Sequence, residues 1–389
     1  MFNIEKKDWE KTTIEEIATI KGGKRMPKGR ILLETETPHP YIKVKNMHGS
    51  KIINLDKDFE FVSENDFEKI SNYTVKSGDI IISIVGTIGL VSLVGETLNN
   101  ANLTENCVKL INIDNFSTEY LYYYLTSEIG QYEIAKGIVG STQPKLPIYN
   151  IKKISIPRPP LKDQKLIANI LSSFDDKIET NNAIIANLET QAQAIFKSWF
   201  IDFEPFQDGE FVESELGLIP KGWEVMKLED IVIYNKRGFS PKYDEENVGI
   251  PVINQRCIRS NRIIDEAIKY HDENKKKAPK DKFYKPYDVL INSMGVGTLG
   301  RVSQVSKLKE ERIVHSCITI LRVNLDVMKP AIFGQMMIYF EPLFETMGQG
   351  STGQTSLKNK DLDDLEFIVA PIDVQNKVES ILEKILNYT

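Results

Sequence analysis

Three glycines in the second half of this 389-residue chain have the spacing of a dinucleotide-binding loop. Gly295, Gly297 and Gly300 spell GxGxxG directly after an apolar run. A pyrophosphate site of this kind needs a helix to follow, because the helix N-terminus supplies free amides and the positive end of the dipole. Residues 301–305 instead alternate in polarity as a strand does. We therefore predict a hairpin turn here and no nucleotide site.

The other patterns that could support catalysis are weaker. Glu273 and Lys275 have the carboxylate-x-lysine spacing of some nucleases, but they lie in a lysine-rich segment without metal-binding carboxylates on neighbouring strands. The chain has neither a GxxxxGKS/T phosphate loop nor the Asn/Asp-Pro-Pro-aromatic element with which adenine methyltransferases hold a flipped base. Its four histidines show no ligand spacing. We predict a binding protein that holds no metal and catalyses no reaction itself.

Composition is that of an ordinary soluble globular protein, with 41% hydrophobic and 27% charged residues. Cys107, Cys257 and Cys317 are odd in number and lack CxxC spacing, which favours a reducing cytoplasm. Residues 1–11 are rich in charge and contain no apolar signal segment. The longest apolar run, near 80–85, is too short to cross a bilayer. We expect a cytoplasmic protein.

The two halves of the chain repeat one set of residues in the same order. Trp9-Glu10 returns as Trp223-Glu224 at an offset of 214 residues, and the offset then settles near 211. The later matches pair Pro40 with Pro251, Gly86 with Gly297, Cys107 with Cys317, Gly140 with Gly350, Leu146 with Leu357, Pro160 with Pro371 and Gln164 with Gln375. A period this long exceeds that of a solenoid repeat and predicts two whole domains, each with its own core.

Each repeat combines strands with a helical stretch. The predicted strands are 79–83, 90–94 and 107–113 in the first copy and 288–292, 301–305 and 317–323 in the second, and the helices are 118–136 and 329–347. Thr118 is the predicted N-cap of the first helix. Cys107 and Cys317 fall in strand pattern and are predicted to be core residues.

Between the repeats, apolar residues recur at alternating spacings of four and three. The seam consists of Ile167, Leu171, Phe174, Ile178, Ile185, Leu188, Ala192, Ile195 and Trp199, with Asn181 in its one polar position. Such a pattern over more than four heptads predicts a coiled-coil helix, and an ordinary amphipathic core helix is the alternative. Leu161 to Phe200 as one helix would span roughly 60 Å. Asn181 either fixes the register of pairing or marks a bend or a partner contact.

Charge is unevenly distributed although the net charge is −6. Cations cluster at Lys21, Lys24, Arg25, Lys28 and Arg30 in the first repeat, and at Arg256, Arg259, Arg262, Lys275, Lys276, Lys277, Lys280 and Lys282 in the second. Each cluster alone is compatible with a solvated loop. Because a basic patch on one face is the electrostatic footprint of nucleic-acid binding, one cluster in each repeat favours that function.

Two segments resemble a known family. The sequence GSTQPKL at 140–146, followed by ISIPRPPLKDQ at 154–164 and a long helix, resembles the junction between target-recognition domain and conserved helix in specificity subunits of type I restriction-modification systems, the HsdS family. The sequence GLIPKGW at 217–223 resembles the start of their second recognition domain. The resemblance covers essentially the whole chain, in the family's order.

The resemblance implies an α/β (α+β) fold of two tandem mixed α/β target-recognition domains related by pseudo-two-fold symmetry. A long coiled-coil helix would separate them, and a shorter C-terminal helix would pack antiparallel to it. The implied boundaries are 1–157 for the first recognition domain, 158–210 for the spacer helix, 211–370 for the second recognition domain and 371–389 for the C-terminal helix. Val378, Leu382 and Ile385 begin a second seam that stops at Thr389, so we expect only partial pairing.

The family's function would make this chain a non-catalytic subunit that recognises a bipartite target in double-stranded DNA. It would hold two methyltransferase (M) subunits, joined by motor-nuclease (R) subunits in the full complex. S-adenosylmethionine, ATP and Mg²⁺ would bind to those partners and not to this chain. The alternatives are the specificity subunit of a type IIB-like restriction system, and a scaffold whose twin domains bind proteins.

Candidate DNA-binding residues follow from the chemistry of phosphates and base edges. For phosphates they are Lys24, Arg25, Lys28, Lys145, Arg237, Lys242 and Lys358, with the backbone amides of Gly140, Ser141, Thr142, Gly350, Ser351 and Thr352. For base edges they are Lys45, Asn46, Gln143, Asn254, Gln255, Arg256 and Gln354. The alternative for each Gly-Ser-Thr loop is a plain turn.

Overall fold

A computed structural model describes residues 9–47, 50–305, 310–348 and 356–386. The chain divides into two compact units, Met1–Glu179 (unit 1) and Thr180–Thr389 (unit 2). No helix in the described part of the chain is long and apolar enough to span a membrane.

The described residues of unit 1 form ten strands, five short helices and the first part of a long helix. The strands are β1 (Lys11–Thr13), β2 (Thr19–Gly22), β3 (Pro40–Ile42), β4 (Ile52–Ile53), β5 (Glu60–Phe61), β6 (Ile80–Ser83), β7 (Val91–Val94), β8 (Asn102–Leu103), β9 (Cys107–Ile111) and β10 (Ser155–Pro157). The helices are α1 (Ile14–Ile17), α2 (Glu64–Ile70), α3 (Thr118–Thr126), α4 (Glu128–Lys136), α5 (Ile148–Lys152) and the long α6 (Leu161–Phe200).

The central sheet of unit 1 has the order β2-β9-β6-β7-β4, and a smaller sheet has the order β5-β3-β8. Successive side chains of a strand point to opposite faces, and β6 is apolar on both. Ile80 and Ile82 pack with Leu121 and Leu125 of α3. Ile81 packs on the other face, in a core that includes Ile42 of the smaller sheet. The central sheet is therefore covered on both faces.

Within the described ranges, unit 2 forms thirteen strands, four short helices, the second part of α6 and a helix near the C-terminus. The strands are β11 (Phe211–Ser214), β12 (Gly217–Pro220), β13 (Glu224–Lys227), β14 (Val232–Arg237), β15 (Ile250–Ile253), β16 (Ile258–Arg259), β17 (Arg262–Ile263), β18 (Lys269–His271), β19 (Val289–Asn292), β20 (Val302–Gln304), β21 (Ile313–Val314), β22 (Ile318–Val323) and β23 (Glu366–Val369). The helices are α7 (Leu228–Ile231), α8 (Pro330–Tyr339), α9 (Glu341–Thr346), α10 (Asn359–Asp363) and α11 (Ile372–Leu386).

The two units have the same strand order, as the sequence repeat predicts. The sheet β14-β22-β19-β20 matches β2-β9-β6-β7, and β18-β15-β21 matches β5-β3-β8. The antiparallel pair β13-β23 matches β1-β10. One difference is that β4 adds a parallel strand to β7 in unit 1, whereas the corresponding part of unit 2 forms the hairpin β16-β17.

The predicted long helix is confirmed with the expected bounds, Leu161–Phe200. Its middle is uncovered in this chain, since Leu171, Phe174 and Ile178 are 38%, 60% and 57% exposed. Asn181 is also exposed. The seam pairs with no helix over this stretch among the described residues, so the coiled coil stays a prediction here.

The C-terminal part of α6 is covered within unit 2. Of the remaining seam residues, Ile167 packs against the unit 1 core, Ile195 and Trp199 pack against the unit 2 core, and Ile185 and Leu188 are partly buried. Val378 and Leu382 of α11 are buried in the same core as Ala192 of α6. Gln375 lines one cavity with Phe200, and Leu386 lines another with Glu189, so α11 runs antiparallel to this part of α6.

The helical stretches after β9 and β22 differ from the prediction in two details. Ser117, not Thr118, is the N-cap, because its side chain accepts a hydrogen bond from the Tyr120 amide. Each predicted single helix is also two helices. Ser127 ends α3 in an extended conformation and caps α4, and Pro342 in the first turn of α9 cannot continue α8.

Candidate nucleic-acid interface

Several segment ends meet at one edge of the unit 1 sheets. Gly23 N donates to Cys107 O at 3.0 Å, Ile84 N to Asn106 O at 2.7 Å, and Thr104 N to Ile42 O at 3.1 Å. These hydrogen bonds bring the ends of β2, β3 and β6 to the start of β9. We call the surface formed by residues 23–25, 43–46, 84–87, 104–106 and 140–145 edge 1.

Glycine is required where β2 reaches this edge. A Cβ on Gly23 would lie 2.0 Å from Thr104 O and 2.3 Å from Leu103 O, closer than non-bonded atoms approach. The close approach lets Lys24 N donate to Leu103 O at 2.8 Å. The backbone of the first basic cluster is therefore fixed against the smaller sheet.

The predicted Gly-Ser-Thr loop of the first repeat lies at edge 1. Val139 and Lys145 exchange two backbone hydrogen bonds of 2.9 Å, and Leu146 N donates to Ile84 O at 2.9 Å. Gly140 has φ of 92°, which other residues rarely adopt. Ser141, Thr142, Gln143 and Lys145 are exposed. The loop is thus a tight turn that presents hydroxyl, amide and ammonium groups to solvent.

The cations of edge 1 have acidic neighbours. Arg25 Nε lies 3.0 Å from Glu105 Oε1, with the Arg25 side chain 74% exposed. Lys45 Nζ lies 2.8 Å from Glu60 Oε2, and hydrogen bonds from Lys43 and Lys45 lower the pKa of Glu60. Exposed pairs of this kind contribute little stability, so a phosphate could replace the carboxylate at small cost.

Two further basic candidates of unit 1 are exposed. Lys24 lies with its ammonium 5.7 Å from the ring centroid of Tyr73. Lys28 lies in the turn that follows Arg25 of edge 1 in the sequence. Neither forms an ion pair within the described ranges, so both ammonium groups are available to an anion.

Asn46 does not present its amide to solvent. It is 3% exposed, and its Oδ1 accepts a hydrogen bond from Lys43 N at 2.8 Å. Within the described residues its Nδ2 is buried and has no hydrogen-bond partner. The side chain therefore closes the turn after β3 and does not point toward a base edge as predicted.

Unit 2 forms a corresponding surface. Ser293 N donates to Cys317 O at 2.8 Å, His315 N to Ile253 O at 2.9 Å, and Leu357 N to Ser293 O at 3.0 Å. We call the surface formed by residues 237–243, 254–256, 293–297, 315–317 and 356–358 edge 2. Arg237 is partly buried at this edge, and its Nη2 donates to Leu357 O at 2.7 Å.

The predicted base-reading residues of edge 2 differ in exposure. Asn254 is 6% exposed and is hydrogen-bonded at both ends of its amide, because Nδ2 donates to Ala267 O at 2.6 Å and Oδ1 accepts from Arg256 N at 2.9 Å. Gln255 is partly buried, and Arg256 is exposed. Asn254 thus holds the turn that presents Arg256, and its amide is not free to read a base.

The remaining candidates divide into exposed and undescribed residues. Lys242 and Lys358 are exposed at edge 2. Gly350, Ser351, Thr352 and Gln354 lie outside the described residues, so their predicted contacts remain predictions. Arg262, part of the second basic cluster, lies elsewhere, because its guanidinium binds Glu189 of α6.

Edge 2 also contains polar residues that the sequence did not single out. Tyr243 stacks on His315 with ring centroids 6.5 Å apart, and Ser240 Oγ donates to Ser316 Oγ at 3.1 Å. Lys276, a member of the second basic cluster, lies beside this edge with its Nζ 4.1 Å from the Phe239 ring centroid. Burial, then the charge of Lys269, lowers the pKa of His315. For Ser240, Tyr243, His315 and Ser316 the available signal was position, since they follow β14 or precede β22 in the sequence.

The sequence patterns that suggested catalysis have structural explanations. Gly295, Gly297 and Gly300 all have positive φ and form the turn of the antiparallel pair β19-β20, as predicted. Glu273 accepts a hydrogen bond from Ala278 N at 2.9 Å and so closes a local turn. Burial raises the pKa of Cys107 to about 12, which leaves a protonated thiol that is a poor nucleophile. No group of three potential metal ligands occurs in the ranges that the structure describes.

Comparison with known proteins gives consistent matches over both units. Residues 6–190 and 220–389 match the sequence profile of the type I restriction modification DNA specificity domain. The type I restriction enzyme MjaIX specificity subunit of Methanocaldococcus jannaschii is 29% identical, over 98% of this chain and 88% of the relative. The MjaVIII specificity subunit of the same organism is 29% identical, over 58% of this chain and 49% of the relative.

A solved structure shows the same fold. The crystal structure of the type I restriction-modification system S subunit from M. genitalium superimposes with a TM-score of 0.56. The alignment covers 100% of this chain and 93% of that one, at 18% identity. At this identity the likeness concerns the fold, namely two tandem mixed α/β units and a long helix.

Proposed function

This chain belongs to the type I restriction-modification DNA specificity family, and from that premise we propose that it recognises a bipartite DNA target as a specificity subunit. Unit 1 reads one half of the target and unit 2 reads the other. The chain supplies sequence recognition and geometry, and it takes no part in bond making or breaking.

The pair of corresponding polar edges supports this proposal most directly. Edge 1 and edge 2 lie at the same strand ends of two units with the same strand order, and each exposes cations beside polar side chains. DNA readers need both, because phosphate contacts position the protein while base-edge contacts specify the sequence. The side chains of the two edges differ, so we expect the two half-sites to differ in sequence.

We propose the following roles for the candidate residues of each unit. The phosphate contacts are Lys24, Arg25, Lys28, Lys145, Arg237, Lys242 and Lys358, with the backbone of the 140–142 loop. Lys45, Gln143, Gln255 and Arg256 are the described candidates for base edges, since guanidinium and amide groups form bidentate contacts with purines. Asn46 and Asn254 support these contacts from within their turns.

The helices provide the assembly function. We propose that α6, with α11, holds two methyltransferase subunits, and that two motor-nuclease subunits join them in the full complex. The exposed apolar side chains of Leu171, Phe174 and Ile178 supply surface for such assembly. S-adenosylmethionine, ATP and Mg²⁺ bind to the partner subunits, so methyl transfer and strand cleavage belong to them. The length of α6 sets the gap between the two half-sites.

Methylome sequencing tests this proposal. The chain is co-expressed with its cognate methyltransferase subunit in a host that lacks the modification, and methylated adenines are mapped at single-molecule level. We expect one motif with two specified halves and a fixed unspecified gap, and no methylation from either protein alone. Methylation of an undivided motif would contradict the proposal.

Salt dependence separates DNA recognition from a protein scaffold. If the seven proposed cations each neutralise one phosphate, the slope of log affinity against log salt for duplex DNA is on the order of −6. A scaffold whose domains bind proteins would show no such slope.

A genomic neighbourhood encoding a methyltransferase with a motor-nuclease agrees with a type I system, whereas a combined methyltransferase-nuclease alone would indicate a type IIB-like system.

A further inference from the structure

Unit 1 holds α6 through a compact polar cluster. Lys51 Nζ donates to Ser172 Oγ at 2.7 Å and lies 3.6 Å from Asp175 Oδ2. Lys51 Nζ also donates to the Tyr123 hydroxyl at 2.8 Å, and that hydroxyl donates to Asp175. We call these four residues anchor 1.

Unit 2 holds a later part of α6 in a related way. Arg262 forms a bidentate pair with Glu189, with Nε–Oε1 and Nη2–Oε2 distances of 2.7 and 2.6 Å. Gln193 Nε2 donates to Gln335 Oε1 at 2.7 Å. We call these four residues anchor 2.

The residues that contact α6 occupy corresponding positions of the two repeats. Lys51 and Arg262 lie 211 residues apart, in the matching sequences KIIN and RIID. Tyr123 of α3 and Gln335 of α8 lie 212 residues apart. The amides of Ser117 and Lys329 confirm this register, since each starts its helix and donates to a matched glutamine, Gln164 or Gln375.

The residues on α6 do not correspond in the repeat. Asp175 and Glu189 both belong to this one helix and lie 14 residues, or two heptads, apart. Lys51 therefore contacts α6 within unit 1, and Arg262, at the matching position of the repeat, contacts a later part of α6 within unit 2.

The anchors have the geometry of directional contacts. The Lys51 side chain is 10% exposed and its ammonium lies 5.0 Å from the Tyr123 ring centroid. Burial, then the hydrogen bond to Asp175, raises the pKa of Tyr123, so the phenol keeps its proton and remains a donor. A bidentate guanidinium-carboxylate pair fixes orientation as well as distance. Such contacts restrict the rotation of a unit on α6 more than apolar packing alone does.

We propose that Lys51 and Arg262 are positioning residues that fix the angle of each recognition unit on α6, and thereby set how strictly one gap between half-sites is required. This inference rests on the proposed function. Neither residue belongs to edge 1 or edge 2, so neither reads a base. Loss of an anchor lets its unit rotate on the helix, which admits targets whose gap is one base pair longer or shorter.

The two anchors differ in how much other packing supports them. In unit 1, Gln164 and Ala168 are the α6 residues that are fully buried. In unit 2, Ala192, Phe196 and Phe200 are all buried in a large core. Loss of anchor 1 therefore has the greater effect on gap selectivity.

The test uses the full chain assembled with its cognate methyltransferase subunit. Duplexes carry both wild-type half-sites and a gap that varies in steps of one base pair, and methylation rates are compared across gaps. We expect Lys51→Ala to lower the preference for the wild-type gap over its neighbours about tenfold, and Arg262→Ala about threefold. These factors are modest because partly exposed polar contacts contribute little free energy. The half-site bases remain those of the wild type.

Matched variants separate positioning from general damage. Arg259→Ala removes an exposed cation from the same β16-β17 hairpin and leaves gap preference unchanged. The double variant Glu189→Arg, Arg262→Glu restores the preference that Arg262→Ala loses. If an alanine variant fails to fold, Asp175→Asn and Glu189→Gln weaken the same contacts with little change in size.

Two outcomes overturn this inference. One is wild-type gap strictness in folded complexes with Lys51→Ala and Arg262→Ala. The other is a change of half-site bases, which would make these residues sequence readers. Absence of any bipartite methylation with the wild-type chain is distinguishable from both, because it contradicts the proposed function itself.

Discussion

Units 1 and 2 share a strand order and each makes polar contacts with α6, but they differ in how much apolar packing accompanies those contacts. Unit 2 inserts Phe196 and Phe200 of the helix into its core, where they stack with centroids 5.4 Å apart. In unit 1, the fully buried residues of α6 are Gln164 and Ala168, and Lys51 adds polar contacts with the helix. Apolar burial is strong and non-directional, whereas hydrogen bonds are weaker and fix orientation. Contacts with α6 are therefore mainly apolar in unit 2 and depend more on polar groups in unit 1.

The edges differ between the units as well. Edge 1 pairs Arg25 with Glu105 and Lys45 with Glu60, whereas edge 2 stacks Tyr243 on His315. Sheet cores and turn glycines correspond in the two copies, so the scaffold has been kept while its surface has changed. Under the proposed function, a constant scaffold with different edges lets each unit recognise a different sequence.

The largest expected effect distinguishes the two attachments to α6. Phe196→Ala should destabilise unit 2 by about 3–5 kcal/mol, because it empties a buried aromatic site. Phe174→Ala on the same helix, where the ring is 60% exposed, should change stability by less than about 0.5 kcal/mol. Hydrogen exchange during denaturant titration would report each unit separately. Equal losses from the two variants would contradict the assigned burial.

The matched glutamines test whether the units are energetically equivalent. Gln164 and Gln375 each accept a backbone amide hydrogen bond at the start of a helix, at 2.9 and 2.8 Å. Replacement by alanine leaves buried groups unpaired, so each variant should cost about 1–3 kcal/mol in its own unit only. Chemical denaturation, with exposed Gln191→Ala as control, measures both. A loss confined to one of the two variants would break the equivalence.

Arg256 tests the independence of the two reading edges. Arg256→Ala should relax base selectivity in the second half-site by about 1–3 kcal/mol, as expected for a lost guanidinium contact with a base edge. The first half-site should keep its sequence. Methylome sequencing provides the readout, with Arg259→Ala as the matched control. Uniform weakening over all sequences would instead assign Arg256 to the DNA backbone.

The smallest expected effect concerns a phosphate contact of edge 1. Lys145→Ala should weaken binding alike for all sequences and reduce the salt slope by about 0.9, the contribution of one phosphate. The fold should be unaffected, because the Lys145 backbone makes the hydrogen bonds that close the loop. Fluorescence anisotropy at several salt concentrations measures the slope. A change in sequence preference would identify Lys145 as a base reader.

The features that the sequence predicted depend on order or on local periodicity. The repeat predicted two units, the heptad pattern predicted Leu161–Phe200, and the polarity after Gly300 predicted a hairpin. Residues near in sequence determine such features. Breaks within helices were missed at Ser127 and Pro342, where capping and proline chemistry outweigh the helical pattern.

The features that the sequence did not predict depend on distant partners. Arg262 belongs to a basic cluster, but its partner Glu189 lies 73 residues away. Asn254 has the chemistry of a base reader, yet its amide binds Ala267 O across a turn. Residue type alone cannot separate a solvent-facing polar group from a buried one that is already hydrogen-bonded. For the same reason the recognised bases do not follow from the candidate residues.

The central claim is that the length of α6 sets the gap between two independently read half-sites. Seven residues inserted after Glu179, the last residue of unit 1, would add about 10 Å of helix with only about 20° of net rotation. Methylome sequencing of this variant should show an altered gap with both half-site sequences unchanged. Altered half-site bases with the original gap would contradict the account.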